Sequence, residues 1–129
     1  MNGLCEIRVQ GKVYPLQYGM VAIEYIDKHI FNTEGNATMG VHMIYAGMLN
    51  YAFANEKPAP SFKEVYDLCE LFDEEKDNKE QGAKVSKCFN ESRHGAKWVQ
   101  AVKKANKELK KKIQLIGTLS EASASENLD

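Results

Sequence analysis

Arginine, proline, cysteine and long apolar runs are all scarce in this chain of 129 residues. Arg8 and Arg93 are the only arginines, and seventeen basic against eighteen acidic side chains leave a net charge of -1. Neither nucleic acid nor membrane is therefore an obligatory partner on charge grounds. Three cysteines, Cys5, Cys69 and Cys88, are odd in number and share no short spacing. That pattern argues against a disulfide framework and against a zinc knuckle, and the three are read as reduced thiols. The longest apolar run is far shorter than the roughly 20 residues a membrane helix needs. No basic segment leading into an apolar stretch opens the sequence, so the expected setting is cytoplasmic, with no membrane partner.

Catalytic signatures are missing as well. The sequence contains no phosphate-cradling G-x-x-x-x-G-K-S/T, no G-x-G-x-x-G, and no H-E-x-x-H, G-x-S-x-G or EF-hand spacing. His29 and His42 fall on different predicted helices and are read as packed or surface imidazoles rather than metal ligands. Cys88 and His94 form a nucleophile and base only if the fold joins them. The acids Asp73, Glu74, Glu75, Asp77 and Glu80 lack the fixed ligand positions of a calcium loop and read as a solvated charge run. The expectation is a protein that is not an enzyme and holds no cofactor or metal.

What is present is enough apolar material for one core: 43% of residues are hydrophobic and 9% aromatic. A chain of this length buries roughly two thirds of its unfolded surface without help from disulfides or metal. Charge is polarised along it. Segment 61–80 carries eight acids against Lys63, Lys76 and Lys79, whereas 81–117 carries ten bases against Glu91 and Glu108.

Local patterns give the elements. Ile7 and Val9, then Val13 through Tyr18, alternate as two strands around Gln10-Gly11-Lys12, with Gly11 as the turn residue. Pro15 makes the second strand short or an edge. Ala22, Ile23, Ile26 and Ile30 recur at helical spacing over 19–31, and Asn32 to Asn36 is a loop by composition. From Thr38 a second helix carries Val41, Ile44, Tyr45, Met48, Leu49 and Ala52 on a broad apolar face. Lys57-Pro58-Ala59-Pro60 stops it rigidly. Ser61 and Glu64 then fit a capping box ahead of the stripe Phe62, Val65, Leu68, Cys69 and Phe72.

Beyond Phe72 the pattern thins. Asp73 to Gly82 is dense in charge, and 73–95 is read as a charged linker. Trp98, Val102, Leu109, Ile113 and Ile116 then mark a basic amphipathic helix over 96–117, ahead of a disordered tail over 118–129. The expected fold is α+β, mainly α: an N-terminal hairpin packed on a small helical bundle within 1–72, followed by that long basic helix.

Two surfaces invite a binding role. Tyr45, Met48, Tyr51 and Tyr66 exceed what a minimal core requires, and Met and aromatic side chains suit adaptable protein-binding surfaces. They are the candidate partner-binding residues. Trp98, Val102, Leu109, Ile113 and Ile116 form a stripe too apolar for water and are the candidates for self-association. The lysines Lys103, Lys104, Lys107, Lys110, Lys111 and Lys112 support an alternative, a small nucleic-acid-binding regulator, although arginine and interleaved aromatics are nearly missing there.

The order of pieces carries a resemblance. A hairpin reading Ile7-Arg8-Val9-Gln10-Gly11-Lys12-Val13-Tyr14-Pro15-Leu16-Gln17-Tyr18-Gly19 runs into a helix with Ala22-Ile23-Glu24. Next come Ile44-Tyr45-Ala46-Gly47, then Pro60-Ser61-Phe62 and Glu64-Val65-Tyr66-Asp67-Leu68. Over residues 7–72 this resembles the tail assembly chaperones of long-tailed bacteriophages and prophages. The resemblance implies a non-enzymatic protein of the bacterial host cytoplasm. Several copies would coat the tape measure protein, keep it soluble and help recruit tail tube subunits.

Overall fold

The computed structural model describes residues 3–29 and 39–107. Expectations that fall on 30–38 and 108–129, including Leu109, Ile113, Ile116, the end of the basic helix and the tail, lie outside the described residues. The architecture is α+β and mainly helical, and it opens on an antiparallel hairpin.

Strand β1 (Leu4–Val9) pairs with β2 (Lys12–Gln17) through a two-residue turn in which Gln10 and Gly11 have φ of 51° and 78°. Two successive positive φ values give a turn whose twist matches the strands; glycine adopts one freely, while glutamine does so at a cost. The Tyr18 amide donates to the Gly3 carbonyl, which fixes the parity of the ladder. Residues 5, 7 and 9 therefore bond across to 16, 14 and 12, while Glu6 and Pro15 face one another at a non-bonded position. The N–H that Pro15 lacks would have pointed away from β1, so the ladder loses nothing.

One hairpin face carries Ile7, Val9, Leu16 and Tyr18, all buried; the other carries Leu4, Glu6, Arg8 and Val13, all exposed. Helix α1 (Met20–His29) follows, with Ala22 and Ile26 inward. Helix α2 (Met39–Ala54) is apolar on several sides and packs on both β2 and α1. Gly47 sets that approach: a Cβ there would lie 3.0 Å from Leu16 Cβ and 3.1 Å from the Tyr18 ring. Asn50, buried in α2, ties the two helices together, its Oδ1 accepting from the amides of Gly19 and Ala22 at 3.0 Å each. Those amides lie at the α1 N-terminus, where no intrahelical acceptor exists.

Helix α2 ends with the Lys57 amide donating to the Ala52 carbonyl and Glu56 at φ 53°, a left-handed stop of the Schellman kind. After the proline connector, α3 (Phe62–Phe72) starts at the capping box that the spacing predicts. The Glu64 amide donates to Ser61 Oγ at 3.1 Å, and the Ser61 amide to Glu64 Oε1 at 3.3 Å.

The charged linker predicted over 73–95 is corrected by the structure, which places helix α4 (Asn78–Glu91) within it, packed against β1. Its apolar stripe is only Val85, Cys88 and Phe89, all buried, with Phe89 edge-on to Tyr18 at 5.4 Å. One turn earlier, Gln81 contributes hydrogen bonds rather than apolar area, which is why a hydropathy pattern misses it. The hairpin and first three helices are thus not the whole of the folded body. Ser92 closes α4 and opens the next helical segment, 93–107, its Oγ donating to the Phe89 carbonyl and accepting from the Gly95 amide.

The chain divides into two compact units, 1–97 and 98–129. Among the described residues no helix is long and apolar enough to cross a membrane.

Candidate functional site

Where α2 turns into the proline connector, its last turns, strand β2 and the start of α3 enclose a groove of about 590 Å³. That volume falls within the range of roughly 300–1,000 Å³ usual for ligand pockets. Met48, Ala52, Val65 and Leu68 supply its apolar lining, and Tyr14 and Tyr51 supply aromatic rings. Pro15, Pro58 and Pro60 also line it. Each proline lacks an N–H, so at these three positions the lining offers carbonyl oxygens and ring carbons rather than a backbone donor. Pro15 also impedes strand addition along the free side of β2.

Two ammonium groups stand over the two tyrosines. Lys12 Nζ lies 5.3 Å from the Tyr14 ring centroid and Lys57 Nζ 5.6 Å from that of Tyr51. Both distances lie within cation–π range. The groove's carboxylate, Glu64, is engaged by the Ser61 amide.

Of the four predicted partner-binding residues, Met48 and Tyr51 meet in this groove, with Met48 buried and Tyr51 half-buried. Tyr45 and Tyr66 belong to a different surface. There Tyr25, His29, His42, Tyr45, Phe62 and Tyr66 form a chain of rings linking α1, α2 and the start of α3. Tyr45 meets Tyr25 at 5.1 Å and Phe62 at 5.4 Å, both edge-on, and Tyr66 meets Phe62 at 6.4 Å. Tyr25 Oη and His42 Nδ1 share a hydrogen bond of 2.7 Å. Burial, then the neighbouring Tyr45, pushes the Tyr25 hydroxyl up to about 12, while burial, then His29, lowers His42 below its usual value. Both groups are thereby held neutral near pH 7.

The groove residues outside α2 and α3 that sequence reasoning missed are Lys12, Val13, Tyr14 and Pro15 on β2 and Lys57, Pro58 and Pro60 in the connector. Period-two alternation marked the strand but not what would pack beside it, and the prolines read only as a helix stop.

The remaining candidates are placed as follows. Trp98 and Val102 stand one helical turn apart within 93–107, each half-buried. Lys103, Lys104 and Lys107 lie on the same segment, whereas Lys110, Lys111 and Lys112 are outside the described residues. Burial and then a hydrogen bond to Cys88 raise the Cys5 thiol, and burial followed by Asp73 pushes Cys69 up to about 12. Asp77, from the acidic run, pairs with Arg8 at 3.0 Å and accepts from Gln81. Among the described residues no group of three or more His, Cys, Asp or Glu is arranged to hold a metal ion. No family model, curated protein or solved structure matches the chain.

Proposed function

We propose that this protein is a tail assembly chaperone of a long-tailed phage or prophage, acting in the bacterial host cytoplasm by reversible binding and without turnover. Its client on this reading is the tape measure protein, kept soluble while tail tube subunits are recruited. One observation supports it above the others. The groove of β2, α2, the proline connector and α3 is built from within residues 7–72, the stretch whose order of motifs resembles that family. A groove lined by Met, Tyr and Pro accommodates varied apolar segments, because Met is flexible and tyrosine combines apolar area with a polar tip. Self-association through Trp98 and Val102, steered by the acidic 61–80 and basic 81–117 segments, belongs to the same proposal.

The test is co-expression with a phage tape measure protein, taken from the gene neighbourhood of this chain if a long coiled-coil gene stands there beside a tail tube gene. The expected result is that the long protein stays in the soluble fraction and co-purifies only when this chain is present. Substitution Tyr51→Asp should return it to the pellet while the chaperone itself stays folded. A long protein that aggregates equally with and without this chain overturns the reading.

A further inference from the structure

We propose that the groove selects apolar segments flanked by carboxylates, so that Lys12 and Lys57 act as specificity residues for an acidic, apolar stretch of a partner protein. The inference rests on the reading of this groove as the client site and adds the chemistry of what enters it.

The electrostatics of the lining carry the argument. Lys12 and Lys57 come from separate elements, β2 and the connector, yet both line the groove, and each stands over a tyrosine that lines it too. Neither has a carboxylate partner among the described residues; the ion pairs there are Arg8–Asp77, Lys28–Glu24 and Lys63–Asp67. Glu64, the groove's acid, accepts from the Ser61 amide at the first turn of α3. The helix dipole at that end places about half a positive charge beside it. Among the lining side chains the balance is therefore positive, two ammonium groups against the one carboxylate of Glu64.

The three lining prolines reduce the backbone donors open to a bound segment, so its side chains carry most of the recognition. Apolar groups meet Met48, Val65, Leu68 and the tyrosine rings, and the strongest polar complement to two unpaired ammonium groups is a carboxylate. Because the groups lie within one Debye length of a bound peptide, about 8–10 Å at physiological salt, like charges on the segment are rejected as well as opposite charges attracted.

Full-length protein is titrated, by fluorescence anisotropy, against three synthetic peptides with one Leu/Phe/Val core flanked by Glu, Ser or Lys. The expected order is Glu before Ser before Lys, with about a tenfold span between the extremes at low salt that narrows as salt rises. The double variant Lys12→Glu/Lys57→Glu, at two exposed positions, should keep its circular dichroism spectrum and invert the order. Equal binding of the three peptides, an order unchanged in the double variant, or a groove already filled by a second copy in sedimentation each overturn the proposal. If the Glu-flanked peptide wins while the tape measure protein is not solubilised, the selectivity stands and the chaperone role falls. If the tape measure protein is solubilised while the peptide order is flat, only the selectivity falls.

Discussion

Gln81 and Arg8, 73 positions apart in the chain, exchange two hydrogen bonds. The Arg8 amide donates to Gln81 Oε1, and Gln81 Nε2 donates back to the Arg8 carbonyl at 3.1 Å. By the parity of the hairpin ladder these backbone groups point away from β2, so one side-chain amide does for β1 what a third strand would otherwise do. Nε2 is further oriented by Asp77, whose other oxygen holds the Arg8 guanidinium at 3.0 Å.

Replacing Gln81 with Ala should therefore leave a part-buried amide and carbonyl without partners, at a cost of about 1–3 kcal/mol. Urea denaturation reads the loss. Hydrogen exchange should show it first at the Arg8 amide and in α4. An unchanged midpoint would mean that water replaces the glutamine without penalty.

A chain ended after Gly82 loses Val85, Cys88 and Phe89, three buried side chains. Large apolar side chains contribute roughly 1.5–3 kcal/mol each on burial, against a usual net stability of about 5–15 kcal/mol. The truncated chain should lack cooperative thermal unfolding, whereas one ended after Lys97 should retain it. Circular dichroism melts of the two distinguish these outcomes.

Among the described residues two non-glycines hold positive φ, Gln10 in the hairpin turn and Glu56 at the end of α2. Left-handed backbone costs an L-residue about 1–2 kcal/mol, a cost that Asn lessens in a turn and Gly removes. Gln10→Asn and Glu56→Gly should each stabilise the fold, by up to about 1 kcal/mol, and their effects should add because the sites share no partner. Thermal melts of the single and double variants test both statements.

His42 titrates below its ordinary value of 6.5 in the fold, first because of burial and then because of His29. The native state thus favours neutral His42. Its contribution to stability is complete above pH 6.5 and is lost as pH falls through the lowered native value. The melting temperature should decline by no more than a few degrees between pH 7.5 and 5.5, since the ring is partly exposed. His42→Gln should flatten that decline.

The thiols give the opposite sign. Cys69 is pushed up to about 12 and Cys5 is raised too, from an ordinary 9.0 in each case. Stability from the neutral thiols is complete below pH 9 and is lost as pH climbs toward the native values. At pH 8 iodoacetamide should label Cys69 only as fast as the native structure opens, because thiolate is the reacting species. Rapid stoichiometric labelling of the folded protein would contradict the burial of Cys69.

The sequence by itself determined what depends on neighbours a few positions apart. Gly11 placed the turn, the period-two run to Tyr18 placed the hairpin, and Ser61 with Glu64 fixed the start of α3, because turn and cap chemistry act within four residues. Of its four candidate partner-binding residues, Met48 and Tyr51 line one groove, while Tyr45 and Tyr66 lie on another surface. Tertiary structure alone decided the rest. Helix α4 was illegible because its anchor is Gln81, whose role depends on the outward-facing backbone of a strand 73 positions away. The groove was illegible because Lys12, over Tyr14, and Lys57, over Tyr51, come to line one groove only once α2 lies close to β2, across Gly47. Local propensity sets which elements form, whereas a site is a coincidence of side chains from several of them, and that coincidence is fixed only by packing.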